Sequence, residues 1–454
     1  MRSNHRALDM TQGDPAKLLI LFAIPMLIGS IFQLLYNMVD TIILGKFVSS
    51  EALASVGSAS AVFMMFTMAS NAATNAVSIL TSQAWGARDD TRVRKTVAQS
   101  FTLTIAWAVI LGIIAFTAAR PLLRLLDAPE NIIDGSVTYI KIVCGLLIGS
   151  LLYNTASQIL RAIGDSRTPL YFLILSSILN ILLDLFFVLK LNGAVAGVAW
   201  ATVISQGTSA VLCLCYMWRK YPQLRFSIQE MLPENSLLLD FFRIAAPMLV
   251  QNLTLSVGDM VISRVINSFG SDIVAAYTVG SKVQQMVIIT FSQTAFSFSV
   301  FSGQNFGARQ FDRIGQGMKS AARLILIAVL ISMAVMLTLT PQLVSIFVTT
   351  ENETILLGAR QMVRTNACFL PALGFIWLVN SCLRGMGAIR PTFISSMVEL
   401  VAKISLSMLL SSLFGSMGIW FAAPIGWVLG LIPGCAYYFF SGWKEKAKSG
   451  AKLV

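Results

Sequence analysis

The sequence predicts an all-α polytopic membrane protein: twelve transmembrane helices arranged as two parallel-repeat bundles of six. Three observations predict it: an apolar composition, recurrent apolar stretches of membrane-crossing length, and a chain that matches itself at a shift of about 222 residues. Of the 454 residues 56% are hydrophobic and only 12% charged, with a mean hydropathy of +0.75. A soluble domain carries roughly twice that charged share. A helix crosses the hydrocarbon layer with about 20 apolar residues, and stretches of that size recur along the whole chain. Backbone groups must be paired within lipid, so these stretches are helices; the alternation expected of a membrane barrel is missing.

The first span, 17–46, follows a polar start and is too long for a signal peptide, so it stays in the membrane. Spans follow at 52–80, 96–118, 132–158, 170–190 and 194–217, which with the first make an N-terminal lobe over 1–217. A polar connector occupies 218–238, from Arg219-Lys220-Tyr221-Pro222 to Pro233-Glu234-Asn235. The C-terminal lobe, 239–440, holds spans at 239–265, 272–300, 318–340, 355–382, 393–413 and 419–440, and a basic tail covers 441–454. The connections alternate in basic content. One set holds Arg88, Arg92, Arg94, Lys95, Arg161, Arg167, Arg219, Lys220, Arg309, Arg313, Arg384 and Arg390; the other holds little beyond Lys46, Arg120, Arg124, Lys190 and Arg264. Positive loops stay in the cytoplasm. Both termini and the connector are therefore expected there, with the chain in a bacterial inner membrane. This distribution accounts for the net charge of +12 without a nucleic-acid partner. The six cysteines lie inside apolar stretches without metal-ligand spacing and read as small hydrophobes.

The repeat is carried by four anchors in order. Ala23-Ile24-Pro25-Met26-Leu27 answers to Ala245-Ala246-Pro247-Met248-Leu249, and Gln83, Gly86, Ala87 and Arg88 answer to Gln304, Gly307, Ala308 and Arg309. Leu160-Arg161-Ala162-Ile163-Gly164 answers to Leu383-Arg384-Gly385-Met386-Gly387, and Gly197 with Ala201 to Gly418 with Ala422. General likeness among membrane helices cannot align polar loop residues. An even number of spans per repeat gives both halves one orientation, and parallel repeats of this kind place a substrate site at their interface.

Ionised groups inside the bilayer cost roughly 2.5–3.5 kcal/mol on insertion scales and so need a reason. The candidates are Asp40, Asp134, Lys141, Asp184, Asp259, Lys282, Glu399 and Lys403. Asp40 precedes Phe47 by seven residues and Asp184 precedes Lys190 by six, so both lie about 9–10 Å below the outer surface. Thr202, eight residues past Ala194, is about 12 Å down, and Asn180 is one turn from Asp184 on the same face. Two carboxylates, an amide and a hydroxyl can thus meet at one depth. An all-oxygen set suits a proton or Na⁺ and offers no soft ligand for a transition metal. The second half places Ser263, Lys403, Ser407 and Ala423 at the matching positions. A scaffold would recur in both halves, so a cation site is favoured over a polar clamp between helices. Glu399 and Lys403, spaced i, i+4, are expected to neutralise each other, and Asp134 and Asp259 to sit near the outer surface. Pro25 and Pro247 can kink spans 1 and 7 at matching places.

The run Gln33 to Ile42 (QLLYNMVDTI), with Ser82-Gln83, Gly86-Ala87-Arg88, Leu160-Arg161-Ala162, Gly164-Asp165 and Asn180-Ile-Leu-Leu-Asp184, resembles the MATE (multidrug and toxic compound extrusion) family, nearest its bacterial DinF-like branch. The resemblance covers essentially the whole chain. It implies a V-shaped pair of six-helix bundles, working as a monomer, that exports organic cations or amphipathic drugs against H⁺ or Na⁺ without a cofactor. It also implies that the coupling cation is held in the first lobe, a role that maps onto Asp40, Asn180, Asp184 and Thr202. The family's other pattern, acids in spans 7, 8 and 10, is not met here: span 8 offers Lys282. Substrate-cavity candidates are Tyr36, Asn37, Met64, Met68, Asn154, Met260, Gln284 and Gln285. Methionine and aromatic walls adapt to varied apolar cations. Flipping of a lipid-linked precursor is the alternative, but it favours a cationic cavity, against which Asp40 and Asp184 argue. An enzyme is less favoured still: the only histidine is His5, and neither a zinc motif nor a nucleotide-binding glycine loop occurs.

Overall fold

The computed structural model describes residues 7–48, 50–126, 128–191, 193–348 and 352–450, without the side chains of 37, 40–42, 44–47, 50 and 61. Among the described residues there are helices and turns and no strand. The first half holds α1 (Pro15–Phe47), α2 (Ser50–Gly86), α3 (Asp90–Leu125), α4 (Glu130–Val143), α5 (Ile148–Ala162), α6 (Arg167–Leu189) and α7 (Ala194–Lys220). Two 3₁₀ turns, Pro222–Leu224 and Ile228–Met231, form the connector. The second half holds α8 (Asn235–Asn267), α9 (Ser271–Gly307), α10 (Phe311–Thr338), α11 (Thr340–Ser345), α12 (Glu353–Gly385), α13 (Ile389–Phe414), α14 (Ser416–Phe440) and α15 (Trp443–Lys448). Eleven described helices are long and apolar enough to cross a membrane, and twelve spans result when the bent pair α4 and α5 is counted as one. The all-α, twelve-span architecture is the one the sequence predicts.

The fourth span departs from its expected continuous helix: α4 and α5 meet at 47°. Glycines explain the break. A Cβ on Gly145 would stand 2.1 Å from the Lys141 carbonyl oxygen and 2.6 Å from the Phe116 ring, so only glycine lets the chain turn there against α3. A Cβ on Gly149, just beyond, would stand 3.0 Å from the Gly207 Cα. The turn thus lets α4 pack on α2 and α3 while α5 packs closely on α7. Ala59, Phe66, Leu111, Ile140, Cys144 and Leu151 form part of the apolar core there.

The chain forms two compact units: Met1–Asp9 with Ile24–Ala245, and Met10–Ala23 with Ala246–Val454. This division differs from the sequence expectation of a first lobe over 1–217, because Met10–Ala23 belongs with the second unit. Hydrogen bonds hold it there. The Met10 N–H donates to Gln304 Oε1 (3.1 Å), Asn305 Nδ2 to the Met10 carbonyl (2.9 Å), and Ser297 Oγ to the Leu19 carbonyl (3.2 Å).

The repeat is visible in local geometry. Arg88 and Arg309 both adopt left-handed backbone, φ 56° and 59°, and so do Gly164 and Gly387, φ 99° and 82°. The turns close with matching bonds: Asp165 N–H to the Leu160 carbonyl and Ala388 N–H to the Leu383 carbonyl are both 2.8 Å. A non-glycine residue rarely adopts positive φ, so the arginine pair is a specific signature of duplication.

The connector is fastened to α3. Arg94 Nε donates to Glu230 Oε1 (3.3 Å), Lys95 Nζ to Glu234 Oε2 (2.9 Å) and Thr102 Oγ1 to the Met231 carbonyl (2.9 Å). The Ser227 N–H and then Arg94 hold the Glu230 carboxyl below the usual 4.5, and Lys95 with Ser236 does the same for Glu234. Carboxyls depressed on folding stabilise above their unfolded value and lose that contribution as pH falls through the folded one. Protease cutting within 222–234 is therefore expected to stay flat between about pH 6 and 8 and to rise only as pH drops below 4.5. A rise above neutrality instead would mean the ion pairs do not hold this segment.

Candidate functional site

Helix α6 is built inside out. Its described outer residues, among them Ile178, Leu182 and Phe186, are large, apolar and exposed, whereas its buried stripe runs Ser176, Ser177, Asn180, Asp184 and Val188. That spacing of three and four keeps the stripe on one face. In lipid the apolar face is satisfied outward, so polar groups must turn toward neighbouring helices. Helix α7 faces it with Val198, Thr202, Ser205 and Ser209, all buried. The two helices approach closely where a Cβ on Gly197 would stand 3.0 Å from the Phe187 Cβ.

Asn180 and Asp184 are both 0% exposed and Thr202 is 5% exposed. The Thr202 hydroxyl donates to the Val198 carbonyl at 3.1 Å, which leaves its oxygen lone pairs for a further partner. Asp40 and Asn37 lie in α1, but their side chains fall outside the described residues. The surroundings of that segment are nonetheless defined. Ile43 is buried with Val188 and Val198, and Val39, Ile181 and Leu185 pack against them. The residues flanking Asp40 therefore pack on residues flanking Asp184 and Thr202, in an apolar cluster that joins α1, α6 and α7. Asn180, Asp184 and Thr202 each offer an oxygen atom, the donor type that hard cations take.

Several of the remaining charged candidates have local partners. Arg120 pairs with the exposed Asp134. Lys282 lies over the Phe347 ring at 5.7 Å. The expected Glu399–Lys403 interaction is present but shared with a second acid. Lys403 Nζ donates to Asp259 Oδ1 at 2.9 Å, from α13 to α8. Helix spacing made Glu399 the nearest acid along the chain, but packing brings Asp259 closer. Of the cavity candidates, Tyr36 and Met68 are half-buried and Met64 and Asn154 exposed in the first unit. In the second, Met260 and Gln285 are exposed, and Gln284 accepts a 2.9 Å hydrogen bond from Asn366.

One residue quoted only as part of a motif has a clear structural task. Asp165 is fully buried; it accepts from the Thr168 N–H (3.0 Å), the Thr168 hydroxyl (2.6 Å) and the Tyr221 hydroxyl (2.7 Å). It thereby fixes the start of α6 and joins it to the end of α7. The signal was Asp165 three residues ahead of Thr168, a local capping pattern.

Eleven or twelve membrane-crossing helices in a duplicated chain are the architecture of a polytopic membrane protein. A family model, MatE, matches residues 25–186 and 247–409, once in each repeat, and the chain belongs to that family. It is 27% identical over 436 residues to "Probable multidrug resistance protein YoeA" of Bacillus subtilis (strain 168), covering 94% of each chain. It is 21% identical over 402 residues to "Multidrug export protein MepA" of Staphylococcus saprophyticus, covering 88% of each. Among solved structures, a multidrug resistance MATE family transporter of the MOP superfamily in an outward-facing conformation superposes with a TM-score of 0.89 at 22% identity, covering 99% of this chain and 100% of that one. A MOP superfamily transporter from Pyrococcus furiosus does so with a TM-score of 0.89 at 22% identity, covering 98% and 100%.

Proposed function

We propose that the protein is a secondary active exporter, which expels amphipathic organic cations by alternating access in exchange for H⁺ or Na⁺. In this reading it is a multi-pass protein of the bacterial cytoplasmic membrane with both termini inside. Asp40, Asn180, Asp184 and Thr202 hold the coupling cation. The observation that carries the reading is the polar stripe of α6: a carboxylate and an amide, each 0% exposed, on a helix whose other face is apolar and exposed. A buried carboxylate needs a compensating positive charge. A proton or Na⁺ supplies it in one state and a cationic substrate displaces it in the other, which couples the two fluxes. Relatives named for multidrug resistance and multidrug export support the substrate class.

The test is efflux from proteoliposomes carrying the purified chain, with an imposed pH gradient or an imposed Na⁺ gradient, each alone and without ATP. Export of a fluorescent organic cation is expected with at least one of the gradients. Export that needs ATP hydrolysis and ignores both gradients would overturn the reading.

A further inference from the structure

The second unit contains a pocket of about 70 Å³ whose walls include Tyr277, Gln284, Asn366, Lys403, Ser407 and Trp420. That volume holds several waters, or a carboxylate and the atoms attached to it. Its polar lining combines donors on Lys403, Trp420 and Gln284 with acceptor oxygens on Asn366 and Ser407. Trp420 is 2% exposed, and its Nε1 is buried with no hydrogen-bond partner; an indole N–H can only donate. Asn366 Nδ2 donates to Gln284 Oε1 at 2.9 Å, so the Gln284 oxygen is occupied and its amide nitrogen remains to donate. Ser407 spends its hydroxyl proton on the Ile404 carbonyl at 2.8 Å. The Lys403 ammonium has three hydrogens, of which one reaches Asp259 Oδ1 at 2.9 Å. Asp259 is not part of the wall, and its side chain is 66% exposed.

The correspondence between repeats sharpens the point. Lys403 stands where the first unit has Asn180, Ser407 where it has Asp184, and Ala423 where it has Thr202. A carboxylate has become a hydroxyl and an amide an ammonium, so the equivalent place has the opposite polarity. The wall itself carries no carboxylate, and an anionic acceptor there meets an amide N–H, an unpartnered indole N–H and an ammonium shared with Asp259 and close to Glu399. Charge-assisted bonds to a carboxylate are the strongest such donors make, and a buried N–H keeps its desolvation penalty until something accepts from it. The Trp420 ring, stacked on Tyr277 at 6.3 Å and 12°, gives the pocket a flat apolar wall.

We propose that this pocket binds the carboxylate head of a small organic anion, with Lys403, Trp420 Nε1 and the Gln284 amide as its donors. The inference does not rest on cation exchange in the first unit, and its test needs no gradient. The purified full chain in detergent is titrated with benzoate by equilibrium dialysis. One saturable site is expected in the unaltered protein. Lys403→Met should weaken it at least tenfold and Trp420→Phe, which keeps the ring and removes the N–H, about threefold to tenfold. Lys403→Arg keeps the charge and should stay within about threefold of the parent. If Lys403→Met does not elute as a single species, Trp420→Phe against Lys403→Arg decides. Absence of saturable benzoate binding, or equal binding by parent, Lys403→Met and Trp420→Phe, overturns the proposal.

Discussion

Asp184→Asn is expected to abolish coupled export while leaving a folded protein in the membrane. The change keeps the side-chain volume inside a site with 0% exposure and removes the negative charge that a proton, Na⁺ or cationic substrate would neutralise. Exchange should fall at least tenfold, which is about 1.4 kcal/mol of lost differential binding, whether H⁺ or Na⁺ drives it. Asp40→Asn should match it, since the flanking residues Val39 and Ile43 pack beside Val188. Asn180→Ala and Thr202→Ala remove ligands without removing a titrating group, so they should harm Na⁺-driven export more than H⁺-driven export. Asp134→Asn is the control, because Asp134 is exposed and paired with Arg120. Normal exchange by Asp184→Asn alongside a defect in the control would move the coupling site out of α6.

Gly164→Val is expected to destabilise the protein strongly. Gly164 has φ 99°, in the left-handed region that a β-branched side chain avoids. A Cβ there would stand 2.1 Å from the Leu8 carbonyl oxygen, and backbone cannot swing aside as a side chain can. The Leu8 N–H donates to the Gly164 carbonyl at 3.0 Å, so the same change detaches the N-terminal segment from the loop before α6. Together these effects should cost about 2–4 kcal/mol. They should be read as a lower melting temperature in detergent and less protein recovered from membranes. Gly57→Ala, in α2 with nothing within 4 Å of the added carbon, should be neutral or slightly stabilising. Equal melting temperatures for the two variants would mean that the approach of Leu8 is not rigid.

Much of this architecture was legible along the chain. Lipid forces every spanning backbone into helix, so apolar length alone located the spans. Duplication left matched residues at Arg88 and Arg309 and at Gly164 and Gly387, and these are the positions that adopt the same left-handed turns. The polar face of α6 was legible too, because Asn180 and Asp184 are one turn apart and any helix puts them on one side. A periodic pattern reports which face of a helix differs from the rest. It does not report which helix meets that face.

That second question only the tertiary structure decided. Lys403 was paired on spacing with Glu399, four residues away, but its ammonium reaches Asp259 on α8, because an ion pair follows distance in space and α8 passes closer. The break between α4 and α5 was likewise invisible in hydropathy, since Gly145 is compatible with a continuous apolar run. It is the Phe116 ring and the Lys141 carbonyl that require glycine there. Residues 10–23 continue α1 without interruption in sequence, yet they belong with the second unit through bonds to Gln304 and Asn305, almost three hundred residues away. The pocket around Trp420 is the furthest case. Its members come from α8, α9, α12, α13 and α14, and nothing local in any one helix marks them, because an unmet N–H becomes a binding feature only when neighbouring helices close around it. Sequence by itself determined the spans, the repeat and the polar face. Packing between helices decided which charges meet and where the cavities lie, because those depend on contacts between residues far apart in the chain.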